Sequence, residues 1–411
     1  MRILGKRTSN EEPVTVSDLD WRHHSYAIGG TGTGKTTWLE SLMAQDLSQG
    51  RGFCYIDKHG DSAKRIADSS PEPVVYWRPA DLAFPIGLNP LQNVAPDERW
   101  RVTADIVSVF SDIWKLGPET PRLLYYLRAA VRLLLDSPGT TLLDIRRVLS
   151  DDRYRSQLLR KCSDSETRQT WEEFSHKDAR QQAQEIGSLQ NKVAALADAL
   201  PLRLIIGQQT STINIRRIID SGTIIICDLS GIGEEPARLL GALLVSQFAQ
   251  AAEARADTDE SERKDYTLYI DEFQNFASLA FAKILSEARK WHLSIVLAHQ
   301  FIAQISENGL HEAVLGNCGT VVSFRIGAED ARVIARAIGA PEAELTTLPR
   351  GRAYVRTLRD GQPTLTRPMR TERAGLGTGR LAAQVRNTRA NFARPRKLAG
   401  RGNVSKLRDW R

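Results

Sequence analysis

The segment from Gly29 to Thr36 reads GGTGTGKT, and it constrains the fold of this 411-residue chain more than any other feature. It matches the pattern G-x-x-x-x-G-K-[ST], in which glycines let backbone N–H groups surround the phosphates of a nucleotide. The apolar stretch YAI (26–28) precedes it, and the amphipathic stretch 37–50 follows it. The motif binds phosphate when it lies between a strand and a helix, so the sequence predicts a phosphate loop rather than an ordinary glycine-rich turn.

Two residues of this loop have predicted chemical roles. The Lys35 ammonium would reach the β- and γ-phosphate oxygens, and the Thr36 hydroxyl would bind Mg²⁺. The sequence therefore predicts ATP and Mg²⁺ as cofactors.

A hydrolytic site of this kind also needs an acid at the end of a neighbouring strand, and TLYIDEFQNF (267–276) supplies two. Asp271 would hold Mg²⁺ through water, and Glu272 would polarise the attacking water as general base. The alternative is a solvated turn, which is disfavoured because both acids follow a strand in a chain with a phosphate loop. The predicted metal site is Thr36 with Asp271. The predicted nucleotide-binding residues are Gly29, Gly30, Thr31, Gly32, Thr33, Gly34, Lys35, Thr36, Thr37 and Asp271.

Hydrophobic periodicity predicts an α/β core interrupted by a helical insertion. Apolar strand-like runs alternate with helical patterns near the start of the chain, with YAI as the first strand, and again from residue 223, whereas the intervening stretch shows helical periodicity. GRAYVRT and TLTRP predict an edge hairpin around the turn at Asp360–Gly361. The expected parts are 1–92 and 206–370 for the core, 93–205 for the all-α insertion, and 371–411 for a flexible basic tail.

The charge distribution points to an acidic or nucleic-acid partner. The net charge is +7, and from Arg370 onward twelve Lys and Arg residues face two carboxylates. Basic arms of this kind contact nucleic acid or acidic partners, although a merely solubilising tail accounts for the charge equally well. No apolar run approaches the ~20 residues of a membrane helix. The four scattered cysteines suggest neither zinc nor disulfides, so we expect a cytoplasmic protein without membrane insertion.

A specific resemblance comes from several segments taken together. In chain order they are IGGTGTGKTT, YIDKHGD, GLNPLQ, LLGALLVSQF, LYIDEFQNFA, LSEARKWHLSIVLAHQF and GNCGTVVSFRIGAEDA. They resemble the FtsK/HerA superfamily of DNA-pumping P-loop ATPases and, within it, the TraG/TraD-like type IV coupling proteins, as a soluble relative that lacks the transmembrane segment. The resemblance implies an α/β fold: a RecA-like P-loop NTPase core with a mainly parallel sheet, interrupted by an all-α insertion domain. It also implies a homohexameric ring with ATP at the subunit interfaces and DNA in the central channel.

The resemblance adds two site residues. In that family a polar residue ends the strand after the magnesium acid and senses the γ-phosphate, and Gln300 occupies this position. An arginine upstream of that strand reaches the ATP of the adjacent subunit, and Arg289 fits this role, with Arg325 as its rival. The alternative for Arg289 is a cation that only stabilises a helix C terminus. The predicted catalytic residues are Lys35, Glu272, Arg289 and Gln300.

The expected function is that of an ATP-driven DNA translocase, an ATPase of a conjugation or mobile-element DNA-transfer system. Expected partners are single- or double-stranded DNA, further copies of the chain, and relaxase or secretion-channel proteins, with peripheral recruitment to the inner membrane. Two alternatives stay open: a nucleotide-switched DNA-binding or recruitment adaptor, and an ATPase that secretes protein. Residues 235–236 and 303–312 are candidate channel loops.

Overall fold

The computed structural model describes residues 1–117, 119–277, 279–305 and 309–399. The candidate channel loop 303–312 and the basic tail therefore lie partly outside the described residues. The β-strands are β1 (Arg2–Arg7), β2 (Pro13–Val16), β3 (Ser25–Ile28), β4 (Phe53–Asp57), β5 (Val75–Trp77), β6 (Ile225–Asp228), β7 (Tyr266–Ile270), β8 (Leu293–His299), β9 (Thr320–Ser323), β10 (Arg352–Arg356), β11 (Leu358–Arg359), β12 (Gln362–Pro363) and β13 (Arg367–Arg370).

The α-helices follow in the same order along the chain. They are α1 (Asp18–Trp21), α2 (Lys35–Ser48), α3 (Asp61–Ser69), α4 (Arg99–Trp114), α5 (Pro121–Leu135), α6 (Ile145–Ser150), α7 (Asp152–Leu159), α8 (Ser165–Ser175), α9 (Ala179–Asp198), α10 (Leu200–Ile206), α11 (Ile215–Ser221), α12 (Glu234–Glu253), α13 (Leu279–Glu287), α14 (Leu310–Asn317), α15 (Ala328–Ile338), α16 (Glu342–Leu345), α17 (Leu381–Asn391) and α18 (Arg396–Ala399).

Eleven of the strands form one twisted sheet in the order β2-β1-β13-β10-β9-β3-β8-β7-β4-β6-β5. The strands from β9 to β5 are all parallel, and β10, β13, β1 and β2 extend the sheet by antiparallel pairing. Every residue of β3, β4, β7 and β8 is buried. Parallel strands covered on both faces read as continuous apolar runs, which is why the sequence revealed them.

The two ends of this sheet differ from the sequence-based expectation. The turn at Asp360–Gly361 has φ of +53° and +76°, as a tight hairpin needs, and it joins the short pair β11 and β12. The strands β10 and β13 on either side are interior rather than edge strands, because β1 and β2 add outside β13. The first strand is therefore β1 and not YAI. β1 and β2 escaped the sequence reading because they are short and carry exposed or half-buried polar residues.

The described chain divides into two compact units. The first holds the large sheet and consists of Met1–Trp77, Ile215–Ser230 and Phe248–Thr388. The second holds Arg78–Asn214, Gly231–Gln247 and the described residues from Arg389 onward. Helices α4–α10 occupy 99–206 of the second unit, the stretch in which helical periodicity predicts an insertion; the domain boundaries themselves stay a prediction. Its core includes Trp171, whose ring lies 5.5 Å from that of Phe174.

Helix α17 covers the free edge of β5. The Val74 N–H donates to Gln384 Oε1 (3.0 Å), and the Tyr76 N–H donates to Thr388 Oγ1 (2.8 Å). The Thr388 hydroxyl donates in turn to the Val74 carbonyl (3.2 Å). Two buried polar side chains one helical turn apart thus replace a neighbouring strand, which protects an edge that would otherwise be open to pairing.

The sequence reading of 371–411 as a flexible tail thus overlooks a helix attached to the sheet. The helix buries Gln384 and Thr388, whereas a search for apolar periodicity registers only apolar residues. Within the described parts of the chain, no helix is both long and apolar enough to cross a membrane.

We predict that Thr388→Val destabilises the sheet unit by about 1–3 kcal/mol, because valine keeps the shape but leaves the buried Tyr76 N–H without its acceptor. Urea unfolding followed by circular dichroism measures the effect as a lower midpoint. Arg386→Ala, on the exposed face of the same helix, is the matched control and should stay within about 0.5 kcal/mol of the parent. Equal midpoints for Thr388→Val and the parent chain would contradict the role given to α17.

Candidate functional site

The phosphate loop connects the end of β3 to the start of α2. A Cβ on Gly29 would lie 2.6 Å from the Cβ of Phe324, so no side chain fits there. Gly34 precedes α2 with φ of +126°, a conformation that side chains disfavour. The first turn of α2 contains no acidic residue, and no side chain caps its N–H groups. The helix therefore presents uncapped donors and its positive dipole end at the loop, an arrangement suited to phosphate.

Lys35 lies in the interior of this loop. Its Nζ donates to the carbonyl oxygens of Gly29 (2.5 Å) and Gly30 (3.2 Å), and only 5% of the residue is exposed. Burial lowers the pKa of Lys35. The ammonium is thus held by the loop backbone at the place where phosphate oxygens would bind, with a desolvation cost that an anion would offset.

Asp271 follows β7 directly and faces the start of α2. Thr36 Oγ1 donates to Asp271 Oδ2 (3.0 Å). Burial raises the pKa of Asp271 to about 6, and the nearby charges of Glu272 and Asp57 add to the effect. A buried carboxylate beside two others carries excess negative charge, and a hydroxyl with a carboxylate supplies the oxygen ligands that Mg²⁺ prefers. The residues therefore fit a magnesium ion, which when bound would neutralise phosphate charge.

Glu272 and Gln300 lie together at the carboxyl edge of the sheet. Gln300 Nε2 donates to Glu272 Oε1 (2.9 Å), and Thr31 Oγ1 donates to Gln300 Oε1 (3.1 Å). Gln274 Nε2 donates to the second oxygen of Glu272 (2.6 Å). The Glu272 backbone is left-handed, with φ of +52° and ψ of +48°, a strained conformation that clusters at functional sites. A chain of hydrogen bonds thus joins the phosphate loop to the predicted general base through the predicted sensor.

Arg289 lies at the opposite edge of the same sheet. It precedes the amino end of β8, whereas Gln300 follows the carboxyl end, and a seven-residue strand separates them by roughly 20 Å. The exposed guanidinium donates to His23 Nδ1 (3.2 Å) in a groove of about 890 Å³. The structure brings Lys35, Glu272 and Gln300 together and leaves Arg289 away from them.

A buried histidine holds the segment that carries Arg289. His24 Nδ1 accepts from the N–H of Ile295 (3.1 Å), so its Nε2 carries the proton and donates to the Leu285 carbonyl (2.9 Å). Burial lowers the pKa of His24 to about 4, so the ring stays neutral at physiological pH. The imidazole thus forms hydrogen bonds with both α13 and β8, and these bonds position the turn between them.

The region around Arg325 contains a contact that sequence reasoning missed. The Arg325 carbonyl accepts from the Gly30 N–H (2.9 Å), while its side chain is exposed. A second loop reaches the phosphate loop at Gly351, whose N–H donates to the Thr33 carbonyl (2.8 Å). The sequence signal for this loop was only a glycine between two arginines ahead of a strand.

Parts of this chain are similar in sequence to known proteins. Residues 265–364 match the family described as the TraM recognition site of TraD and TraG. A 61-residue segment is 38% identical to the type 4 coupling protein DotL of Legionella pneumophila; it covers 15% of this chain and 8% of the relative's length. The resemblance to TraG/TraD-like coupling proteins is confirmed.

Solved structures bear out the fold class. The plasmid coupling protein TrwB, in complex with ADP and Mg²⁺, superposes with a TM-score of 0.68 at 17% identity, covering 92% of each chain. VirB4 of Thermoanaerobacter pseudethanolicus superposes with a TM-score of 0.64 at 15% identity, covering 91% of this chain and 96% of the other. The prediction of a RecA-like P-loop core with a mostly parallel sheet and helical regions is confirmed, while the roles of individual site residues stay predictions.

We predict that Asp271→Asn stabilises the metal-free protein at pH 7.5. The carboxyl pKa is about 6 in the folded chain against 3.8 for a free group, so the folded state binds more protons between these values. Stability is therefore lost as the pH rises through this window, and the ionised carboxylate costs ~3 kcal/mol above it.

Thermal unfolding in EDTA at several pH values tests this. At pH 7.5 the melting temperature of Asp271→Asn should be higher than that of the parent, and near pH 4 the two should be equal. The exposed control Asp259→Asn should have the melting temperature of the parent at every pH. A parent chain that is the more stable of the two at pH 7.5 would contradict the account of Asp271.

Proposed function

We propose that this chain is an ATP-hydrolysing motor that moves DNA in a conjugation or mobile-element transfer system and works as a ring. The observation that carries the proposal is the hydrogen-bonded chain from Thr31 through Gln300 to Glu272. A protein that only binds nucleotide needs a phosphate loop and a metal site. The further link between loop and carboxylate is suited to hydrolysis, because it couples the γ-phosphate position to the group that would activate water.

In this proposal each residue at the carboxyl edge has one task. Lys35 and the first turn of α2 bind the phosphates, while Thr36 and Asp271 hold Mg²⁺. Glu272 takes a proton from the attacking water, and Gln300 orients both that water and the γ-phosphate. Gln274 and Gln300 each donate to one Glu272 oxygen, which holds the carboxylate in a single orientation.

The position of Arg289 supports the ring. An arginine at the amino edge of the sheet lies a strand length from its own phosphate loop, so it cannot stabilise charge on its own nucleotide. In a head-to-tail ring the amino edge of one subunit can face the carboxyl edge of the next, and there the guanidinium would meet the neighbour's γ-phosphate. Arg325 is less suited to this role, because its carbonyl contacts the phosphate loop of its own chain.

The proposal that the motor moves DNA comes from the similarity to coupling proteins. On the same ground we propose a hexamer, a relaxase or secretion-channel partner, and peripheral recruitment to the membrane. The similarity to VirB4 supports a second candidate, an ATPase that drives protein secretion. The two candidates share the chemistry and differ in the polymer that stimulates it.

We predict that Glu272→Gln lowers ATP turnover by about 10²- to 10⁴-fold while ATP affinity stays within about twofold, because the amide keeps the size of the carboxylate and one acceptor oxygen but cannot accept the proton. Steady-state phosphate release, with and without single- and double-stranded DNA, measures the effect. Glu329→Gln, an exposed acid on α15, is the matched control and should turn over like the parent.

DNA should raise the turnover of the parent chain and not that of Glu272→Gln. Turnover in Glu272→Gln equal to the parent would contradict the motor. Hydrolysis in the parent that no DNA stimulates would favour the secretion ATPase, and nucleotide binding without hydrolysis would favour the adaptor.

A further inference from the structure

A pocket of about 260 Å³ adjoins the start of α2, and Glu272 is not among its lining residues. Gly34 and Thr37 form one wall of this pocket. The rest of its charged lining consists of Arg350, Arg352, Arg370 and Arg373. Among the described residues, none that lines the pocket carries a carboxylate. Four arginines and the N terminus of a helix thus line one cavity.

The segment that carries Arg350 and Arg352 is hydrogen-bonded to the phosphate loop. The Gly351 N–H donates to the Thr33 carbonyl (2.8 Å), and the Thr371 N–H donates to the Gly351 carbonyl (2.8 Å). A Cβ on Gly34 would lie 3.2 Å from the Gly351 Cα, so the two loops are in direct contact. Arg350 and Arg352, on either side of Gly351, are therefore held at a fixed distance from the phosphate loop.

The strands beneath the pocket bring like charges side by side. Arg370 on β13 is the register partner of Arg352 on β10 and also of Lys6 on β1. Like charges directly opposite each other destabilise a sheet. Glu372 lies 2.8 Å from Lys6, and Glu11 lies 2.6 Å from Arg370. These carboxylates compensate Lys6 at one end of the row and Arg370 in its middle.

Arg352 lacks such compensation. Throughout the described residues, no carboxylate lies within ion-pair distance of Arg350, Arg352 or Arg373. All three arginines are exposed and line the pocket. Among the described residues, no Asp or Glu lines it with them. A repulsive row kept in a rigid part of the fold is suited to a ligand that brings negative charge.

The order of residues along the phosphate loop identifies which part of a ligand would reach the pocket. In such loops the lysine reaches the β- and γ-phosphates, and the following backbone N–H groups hold the α- and β-phosphates. Thr37 is the second residue after Lys35, so a ligand continuing past it presents its α-phosphate and nucleoside. A guanidinium group can pair with a phosphate and stack on a base.

We propose that the arginine pocket formed by Arg350, Arg352, Arg370 and Arg373 binds the α-phosphate and nucleoside of the nucleotide held by the phosphate loop. This inference rests on the proposed nucleotide-binding function. Because guanidinium groups recognise phosphate charge and the faces of bases rather than base edges, the pocket accepts adenine and guanine nucleotides alike. A nucleic-acid backbone is the less favoured occupant, since the pocket shares a wall with the phosphate loop itself.

The experiment compares ligands that do and do not reach the pocket. Binding of ADP, GDP, inorganic pyrophosphate and a single-stranded oligonucleotide is measured by isothermal titration calorimetry with Mg²⁺ for the parent chain and for Arg352→Gln and Arg350→Gln. Each substitution should lower the affinity for ADP and for GDP by about tenfold, and the affinity for pyrophosphate should stay within about twofold of the parent value. Arg359→Gln, an exposed arginine outside the pocket, is the matched control and should bind every ligand like the parent.

Thermal unfolding gives a second readout that a folding defect would not reproduce. Arg352→Gln relieves the repulsion with Arg370, so the ligand-free variant should melt at or above the temperature of the parent, with a smaller increase on adding ADP. Unchanged ADP affinity in both variants would overturn the proposal. The proposal would also be overturned if the affinity for pyrophosphate fell as much as that for ADP, or if only the affinity for the oligonucleotide fell. Lys35→Ala distinguishes a failure of this proposal from a failure of the proposed nucleotide binding. Unchanged affinity of that variant for ADP and pyrophosphate would refute nucleotide binding at the phosphate loop.

Discussion

Parallel pairing of β3 with β8 is the interaction on which the candidate site depends. The register places Ile28 opposite His299, so the phosphate loop and Gln300 leave the sheet side by side. The pairing of β8 with β7 brings the acids Asp271 and Glu272 to the same edge. Three segments distant in sequence thus converge because parallel strands end together, and no single loop needs to build the site.

The candidate site holds several unfavourable features in one place. Asp271 is a buried carboxylate beside two others, Lys35 is a buried ammonium, and Glu272 has a left-handed backbone. The row of cations across β1, β13 and β10 adds repulsion next to them. An anionic ligand with its metal ion would relieve the electrostatic costs among these, which is the expected pattern when a fold gives up stability for binding.

The sequence predicted the parts of the structure whose signals are local. Lys35, Thr36, Asp271 and Glu272 were found because the motif and the apolar strands before them are contiguous. The helix α17 was missed because its contacts with β5 use Gln384 and Thr388, and buried polar side chains carry no periodic signal. The contact of Gly351 with Thr33 joins residues more than 300 positions apart, which one sequence cannot reveal.

We propose that Arg289 of the next subunit completes each active site, and mixing two inactive variants would show whether it does. Lys35→Ala removes the nucleotide site and keeps the arginine, while Arg289→Ala does the opposite. Alone, neither should hydrolyse ATP, although Arg289→Ala should still bind it. In rings assembled from an equal mixture, about one quarter of sites would combine an intact loop with an intact neighbouring arginine, so turnover should recover to about that fraction of the parent rate. A mixture no more active than its components, or an active Arg289→Ala ring, would contradict the account.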